Sequence, residues 1–315
     1  MSAELCLEVA RQMPGNGTYA FGEPANYEAA VEEAKIELLV TEGGKFEAVL
    51  TRARLNQLWL SRSRETLASV AYVALRSDLI FVTFPTGPPP PIWGGRELQP
   101  GEIVLHSRGG RMHQRTVASS EKGLIAVTPE HLALWSRALT EKEVVVPPVA
   151  RIIRPATRAR SRLSYLHASA CGLVETSPAT IAHPEVIRAL EQELIRALIN
   201  CLTPDDQAPV RSFRPRRMAL MNRFEDVLAA HHDRPLHVPE LCIAIGVSER
   251  TLRTCCAEFL GMSPGRYLRL RQLKMVRTAL QTADPTTTSV GAIARRYGET
   301  PSATLQARRR RSPRE

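Results

Sequence analysis

Residues 238–260 constrain the fold most, because their apolar side chains recur at helical spacing in two short runs separated by one glycine. Gly246 can adopt the left-handed conformation that ends a helix, and Ser248 can cap the free N–H groups of the next one. The segment therefore predicts two helices joined by a tight turn, which is a helix-turn-helix. The apolar face of the first run, at i, i+3, i+4 and i+7, consists of Val238, Leu241, Cys242 and Ile245.

The second predicted helix begins after Ser248 and has two chemically different faces. Any pair of amphipathic helices in a helical domain would give similar spacing, but here the outer face is short-chained, polar and positive, as a major-groove reader requires. We therefore expect Glu249, Arg250, Arg253 and Thr254 to read base edges. The inward face consists of Leu252, Cys255, Cys256 and Phe259.

The residues on either side of this helix carry a family signature. Residues 247–252 (VSERTL) and 261–271 (GMSPGRYLRLR) resemble the signature of the AraC/XylS family of bacterial transcription regulators. Residues 273–280 resemble the long linker helix of that family, and residues 289–298 resemble the first helix of its second helix-turn-helix. The resemblance implies that the partner is promoter DNA, and also RNA polymerase if the protein is an activator.

Further basic residues are expected to bind phosphate rather than bases, because they follow the predicted reader helix. Arg266, Arg269, Arg271 and Lys274 are expected to contact phosphate or to pack, and the basic tail at residues 306–315, with Arg308 and Arg309, is expected to hold phosphates. Ser248, at the N-terminus of the reader helix, is expected to contact phosphate as well. Tyr267 and Leu270 are expected to fill the core between the reader and the linker helix.

The C-terminal end departs from the family pattern. Tyr297 and Gly298 run directly into residues 299–305 (ETPSATL), where the family has a second recognition helix in between. The second helix-turn-helix is therefore predicted to be incomplete, and the chain to be loosened from about residue 285. One alternative function follows, a degenerate family member that acts by protein–protein association and binds DNA poorly.

Charge is distributed unevenly along the 315 residues. Residues 212–315 hold 19 of the 42 basic and 9 of the 32 acidic residues, so the first 211 residues carry 23 of each and the net charge of +10 lies in the C-terminal third. A neutral module joined to a basic one is typical of a regulator that binds nucleic acid. We predict a sensor or dimerisation domain at residues 1–203, a linker at 204–217 and the helix-turn-helix domain at 218–315.

The N-terminal part is predicted to form β structure. The residues before it give little signal apart from a predicted turn at residues 23–26. Short runs rich in β-branched and aromatic residues recur between residues 35 and 127, interrupted by the proline-rich residues 85–91. The predicted fold class is therefore α+β, with a β-barrel or sandwich before the all-α helix-turn-helix domain. The resemblance implies a cupin-like barrel that senses a small-molecule effector or dimerises.

A metal-dependent cupin-like enzyme is the competing function, and its ligands would come from Glu102, His106 and His113. The two histidines are seven positions apart, which places them on opposite faces of a strand unless the chain turns at Gly109 and Gly110. We expect no metal, no cofactor and no enzymatic activity.

Helices are predicted after the strands, at residues 130–140, 158–173 and 184–202. The apolar stripe of residues 184–202 would either pack against its own barrel or form a homodimer interface. Six scattered cysteines, without metal-ligand spacing, are expected to be reduced. No run approaches the roughly 18 apolar residues of a membrane span and no signal-peptide layout is present, so we expect a cytoplasmic protein.

Overall fold

The computed structural model describes residues 15–203, 211–231, 236–282 and 291. Within these residues it confirms the predicted α+β class, with two antiparallel sheets followed by helices. The predictions for the incomplete second helix-turn-helix, the loosened C-terminus, Arg308 and Arg309 lie outside the described residues.

The strands form two antiparallel sheets. The order in the larger sheet is β1-β3-β4-β11-β6-β9-β12-β13, and in the smaller sheet it is β2-β5-β10-β7-β8. The strands are β1 (Gly17–Phe21), β2 (Ala34–Val40), β3 (Ala48–Arg54), β4 (Trp59–Glu65), β5 (Ser69–Leu75), β6 (Ile80–Pro85), β7 (Ile92–Trp93), β8 (Arg96–Glu97), β9 (Ile103–Leu105), β10 (Arg111–Arg115), β11 (Ser120–Val127), β12 (Arg151–Ile153) and β13 (Arg211–Ser212).

Helices follow and flank the sheets, and none of those in the described part of the chain has the length and hydrophobicity needed to span a membrane. The helices are α1 (Pro24–Ala30), α2 (Pro129–Thr140), α3 (Thr157–Thr176), α4 (Pro178–Ile181), α5 (Pro184–Leu202), α6 (Pro215–Ala230), α7 (Val238–Ile245), α8 (Glu249–Leu260) and α9 (Pro264–Thr282).

Side chains on β6 show how the layers are organised, because they alternate between two cores. Ile80, Val82 and Phe84 pack in the cluster that contains the buried residues of α3 and α5. Phe81 points the other way, into the cluster shared with β10 of the smaller sheet. The larger sheet is therefore covered by helices on one side and by the smaller sheet on the other.

The smaller sheet is also covered on both sides. Leu39 of β2 and Val70 of β5 are buried in one cluster with residues of α6, α7, α8 and α9. The order of layers is therefore helices, larger sheet, smaller sheet, and the helix-turn-helix helices. The last two layers meet at the outer face of the smaller sheet, which is formed by Glu37, Leu39, Val70, Tyr72, Arg111, His113 and Arg115.

Several elements differ from the sequence prediction. The turn predicted at residues 23–26 was wrong, because Glu23 is the N-cap of α1 and Pro24 occupies its first turn, where a proline is well tolerated. The strands β1, β12 and β13 were not predicted. Helix α6 begins at Pro215, inside the stretch assigned to the linker, and residues 211–212 pair with β12.

The apolar stripe of α5 packs within the chain. Leu194, Leu198 and Cys201 are fully buried in the cluster shared with the larger sheet and α3. Of the two alternatives for this stripe, packing against the chain's own barrel is the one observed.

Candidate nucleic-acid interface

Helix α7 has the predicted bounds, and each end is held by local hydrogen bonds. At its start the carboxylate of Glu240 accepts a hydrogen bond from the backbone N–H of His237 at 2.8 Å. At its end Gly246 has a φ of 75°, and its N–H and that of Val247 both donate to the carbonyl oxygen of Cys242 at 3.0 Å. The left-handed glycine therefore turns the chain toward the next helix, as predicted.

Helix α8 follows after one capping residue. The Ser248 hydroxyl accepts a hydrogen bond from the Thr251 N–H at 3.2 Å, which satisfies one of the free donors of the first turn. The predicted inward face is buried in the shared cluster, with Leu252 and Cys256 fully inaccessible. The four predicted base-reading residues are all exposed on the opposite face.

The exposed face of α8 has an internal ion pair. Glu249 Oε1 accepts hydrogen bonds from both Nε and Nη2 of Arg253, at 2.9 and 2.6 Å. This pair is at i, i+4 spacing and the Arg253 side chain is 68% exposed, so the pair contributes little to stability. It does hold the Arg253 guanidinium along the helix, whereas Arg250 extends from the first turn without an acidic partner in the described part of the chain.

Two of the predicted phosphate-binding residues lie on α9. Arg266 and Arg269 are exposed, near the end of α8. The arginine and lysine that follow on the same helix have a different role. Arg271 contacts Glu37 at 2.9 Å, and Lys274 is paired with Glu28, so these two cations bind the N-terminal domain instead of facing solvent.

The two cysteines of α8 have thiols with raised pKa values. Burial raises the pKa of Cys256 to about 12, and burial also raises the pKa of Cys255. Thiols whose pKa is raised are poor nucleophiles at neutral pH. Both cysteines are free, and Cys256 is fully buried.

Sequence reasoning missed Glu225, whose carboxylate is buried where the two domains meet. It accepts hydrogen bonds from the Tyr267 hydroxyl at 2.8 Å and from Arg271 Nη1 at 2.7 Å, and His113 Nε2 lies 2.9 Å from it. Burial alone would raise the pKa of Glu225, but the hydrogen bond from His113 and the charge of Arg271 hold it below its ordinary value. One feature of the sequence could have identified Glu225. It is an acidic residue that lies one helical turn after Met221, on the apolar face of the helix.

The candidate metal ligands do not come together. His106 Nε2 contacts the Thr83 hydroxyl at 2.6 Å within the sheets, whereas His113 faces the helix-turn-helix domain. Glu102 accepts a hydrogen bond from the backbone N–H of Gln99. Within the described ranges no cluster of three His, Cys, Asp or Glu side chains is arranged to hold a metal ion.

Comparison with known proteins gives one curated relative. No protein-family model matches the chain. The chain is 31% identical over 123 residues to the probable thc operon regulatory protein of Rhodococcus erythropolis, a match that covers 39% of this chain and 37% of the relative. The chain thus matches little more than a third of that relative's length, and the match agrees with the resemblance to regulators drawn from the sequence.

Solved structures give matches along most of the chain at low identity. The chain is similar to the AraC-like transcriptional activator CuxR, with a TM-score of 0.42 and 17% identity, over 84% of this chain and 96% of that one. It is also similar to ToxT from Vibrio cholerae O395, with a TM-score of 0.24 and 10% identity, over 86% of this chain and 91% of that one.

Proposed function

We propose that the protein is a transcription regulator of the AraC/XylS type that binds promoter DNA through α8. The observation that carries this proposal is the division of α8 into two faces. Arg250, Arg253 and Thr254 are exposed together, while Leu252 is fully buried against the rest of the domain. A rigid helix that presents short polar and cationic side chains fits the major groove.

Each exposed side chain has a distinct role in this proposal. Arg250 donates two hydrogen bonds to guanine O6 and N7, which discriminates by roughly 1–3 kcal/mol against other bases. Arg253 reads a second base while Glu249 orients its guanidinium. Thr254 contacts a thymine methyl group. Ser248, Arg266 and Arg269 fix the register by contacting phosphates.

The N-terminal sheets form the sensor part of the proposal. They contact the helix-turn-helix domain directly, so a small-molecule effector that binds the sheets can influence the reader. The proposed partners are promoter DNA and this effector, together with RNA polymerase for an activator and a second copy of the chain. The protein is proposed to be cytoplasmic and to have no catalytic role.

The test compares base-reading with phosphate-binding positions in the full-length protein. Binding of selected and random DNA is measured by fluorescence anisotropy at several salt concentrations. We expect Arg253→Ala to relax base preference at one position. Arg269→Ala should weaken binding to all sequences alike and reduce the salt slope by about one.

The same comparison can overturn the proposal. Equal behaviour of Arg253→Ala and Arg269→Ala would contradict the assignment of α8 as the reader. Wild-type protein that shows no preference over random DNA would favour the alternative of a family member acting by protein association.

A further inference from the structure

The outer face of the smaller sheet meets the helix-turn-helix domain at a buried carboxylate. Glu225 of α6 has a side chain that is 2% exposed and is reached by three donors from two elements, β10 and α9. A carboxylate only accepts hydrogen bonds, so His113 of β10 must carry its proton on Nε2. Tyr267 and Arg271 supply the other donors from α9, the helix that follows the reader. This one acceptor on α6 therefore connects the sheet to α6 and to α9.

A second contact connects the same strand to the end of α8. Gly261 is the C-cap of α8 with a φ of 69°, and an added Cβ there would lie 2.6 Å from Nη1 of Arg115. The guanidinium of Arg115 is therefore packed directly on the C-terminus of the helix. Helix C-termini carry partial negative charge, which favours a cation in this place.

Aromatic packing fixes the last turn of α8 from the same side. The ring of His113 meets the ring of Phe259 edge to face, with centroids 6.3 Å apart. An added Cβ on Gly95, in the turn between β7 and β8, would lie 2.7 Å from Glu258 Cγ, so the backbone of the smaller sheet approaches the helix closely. The last turn of α8 is thus held by the sheet, while its first turn, with Glu249 and Arg250, is exposed.

We propose that His113 and Arg115 of β10 are positioning residues for α8, which fix the angle at which its exposed first turn enters the groove. These contacts of β10 lie at the last turn of α8, away from Glu249 and Arg250 in its first turn, so the strand acts as a rigid support. A change in the sheet that shifts β10 would then change DNA affinity through these two side chains. The effect on DNA rests on the proposed function, whereas the support of α8 by β10 does not.

The first experiment needs no DNA. Hydrogen exchange of the full-length protein is measured by mass spectrometry for Arg115→Met, Arg115→Lys and His113→Gln. Arg111→Met is the matched control, because Arg111 lies on the same strand and face but pairs with the exposed Asp226. We expect exchange across residues 255–262 to rise roughly tenfold in Arg115→Met and His113→Gln, because the local opening becomes easier. Arg115→Lys and Arg111→Met should stay close to wild type.

The second experiment measures DNA affinity of the same variants on a site selected with the wild-type protein. We expect Arg115→Met to lower affinity by roughly tenfold, within the range typical of coupling between sites. The preferred bases should be unchanged, because the exposed face of α8 keeps its chemistry. Arg115→Lys should restore most of the affinity, since it keeps the cation at the helix end.

The outcomes separate the two claims. Equal exchange in Arg115→Met and Arg111→Met would overturn the support of α8 by β10. Raised exchange with unchanged DNA affinity would overturn the positioning role. Raised exchange together with wild-type protein that has no base preference would confirm the support and overturn the proposed function. If His113→Gln raises exchange throughout the protein, including residues 80–85, that variant is destabilised as a whole. The comparison of Arg115→Met with Arg111→Met then tests the proposal by itself, because Arg115 is only half-buried.

Discussion

Replacing Glu225 by glutamine tests whether the two domains are held together by a buried charge. The substitution keeps the size and shape of the side chain but removes its negative charge. Arg271 and His113 then face an amide, which presents one oxygen acceptor and an NH2 donor. Glu225 now accepts three hydrogen bonds. In the glutamine variant at least one of them must be lost, because the amide NH2 then faces another donor.

The size of the effect follows from the geometry. Removing one partner of a buried ion pair costs about 3–5 kcal/mol, because the remaining charge is left without compensation. Arg271 keeps a second carboxylate, since its Nη1 lies 2.9 Å from Glu37 Oε2. We therefore expect a loss at the lower end of this range, about 3 kcal/mol in the free energy of unfolding.

The assay is denaturant unfolding of the full-length protein at neutral pH, followed by circular dichroism. The matched control is Asp226→Asn, because Asp226 is the adjacent residue and pairs with Arg111 across the same interface, but its side chain is 53% exposed. Solvent screens that pair, so its loss should cost less than about 1 kcal/mol. A loss for Glu225→Gln no larger than that for Asp226→Asn would refute the buried anchor.

Three further predictions concern pH, packing and backbone conformation. The pKa of Glu225 is held below its ordinary value of about 4.3, so the stability that its charge contributes is present above that pH and is lost as the pH falls through the folded-state pKa. The stability difference between wild type and Glu225→Gln should therefore shrink below about pH 4, and a difference that stays constant from pH 7 to pH 3 would contradict this. Leu252→Ala removes a fully buried side chain and should lower the free energy of unfolding by about 2–5 kcal/mol in the same assay; a loss under 1 kcal/mol would show that the inward face of α8 is not packed. Gly246→Ala should destabilise by about 1 kcal/mol because its φ is 75°, whereas Gly172→Ala, inside α3 with open space around it, should stabilise by about 0.5–1 kcal/mol; stabilisation by Gly246→Ala or destabilisation by Gly172→Ala would be inconsistent with the backbone described.

The helix-turn-helix could be predicted almost to the residue because its determinants are local. The spacing of the apolar residues, the glycine at 246 and the serine at 248 are all read within one short stretch, and each determines a bond or a φ value nearby. The exposed and buried faces of α8 follow from the same spacing, since a helix repeats every 3.6 residues. How the exposed residues act on DNA stays a prediction.

The missed strands depend on partners far away in sequence. Strand β12 is only three residues long, and it exists because Arg151–Ile153 pair with β9, where Ile103 lies opposite Ile153. Such a short apolar run has no periodicity that distinguishes a strand from a loop. Helix α1 was missed for a related reason, because its seven residues bury only Tyr27 and Ala30.

The contact between domains was also beyond sequence reasoning. Glu225 takes its donors from positions 112, 42 and 46 residues away, and only the folded chain brings these together. The basic residues of α9 show the same limit. Their spacing predicts a charged helix, but Arg271 and Lys274 bind acidic residues of the N-terminal domain, while Arg266 and Arg269 remain exposed.

The proposal that the exposed surface of α8 reads bases is tested most directly by selection from a random DNA pool. The full-length wild-type protein and Arg250→Ala are each used to enrich binding sequences. We expect wild type to enrich a short motif with a guanine that Arg250→Ala no longer requires, while the other positions of the motif persist. Identical motifs from both proteins, or no enrichment with wild type, would contradict it.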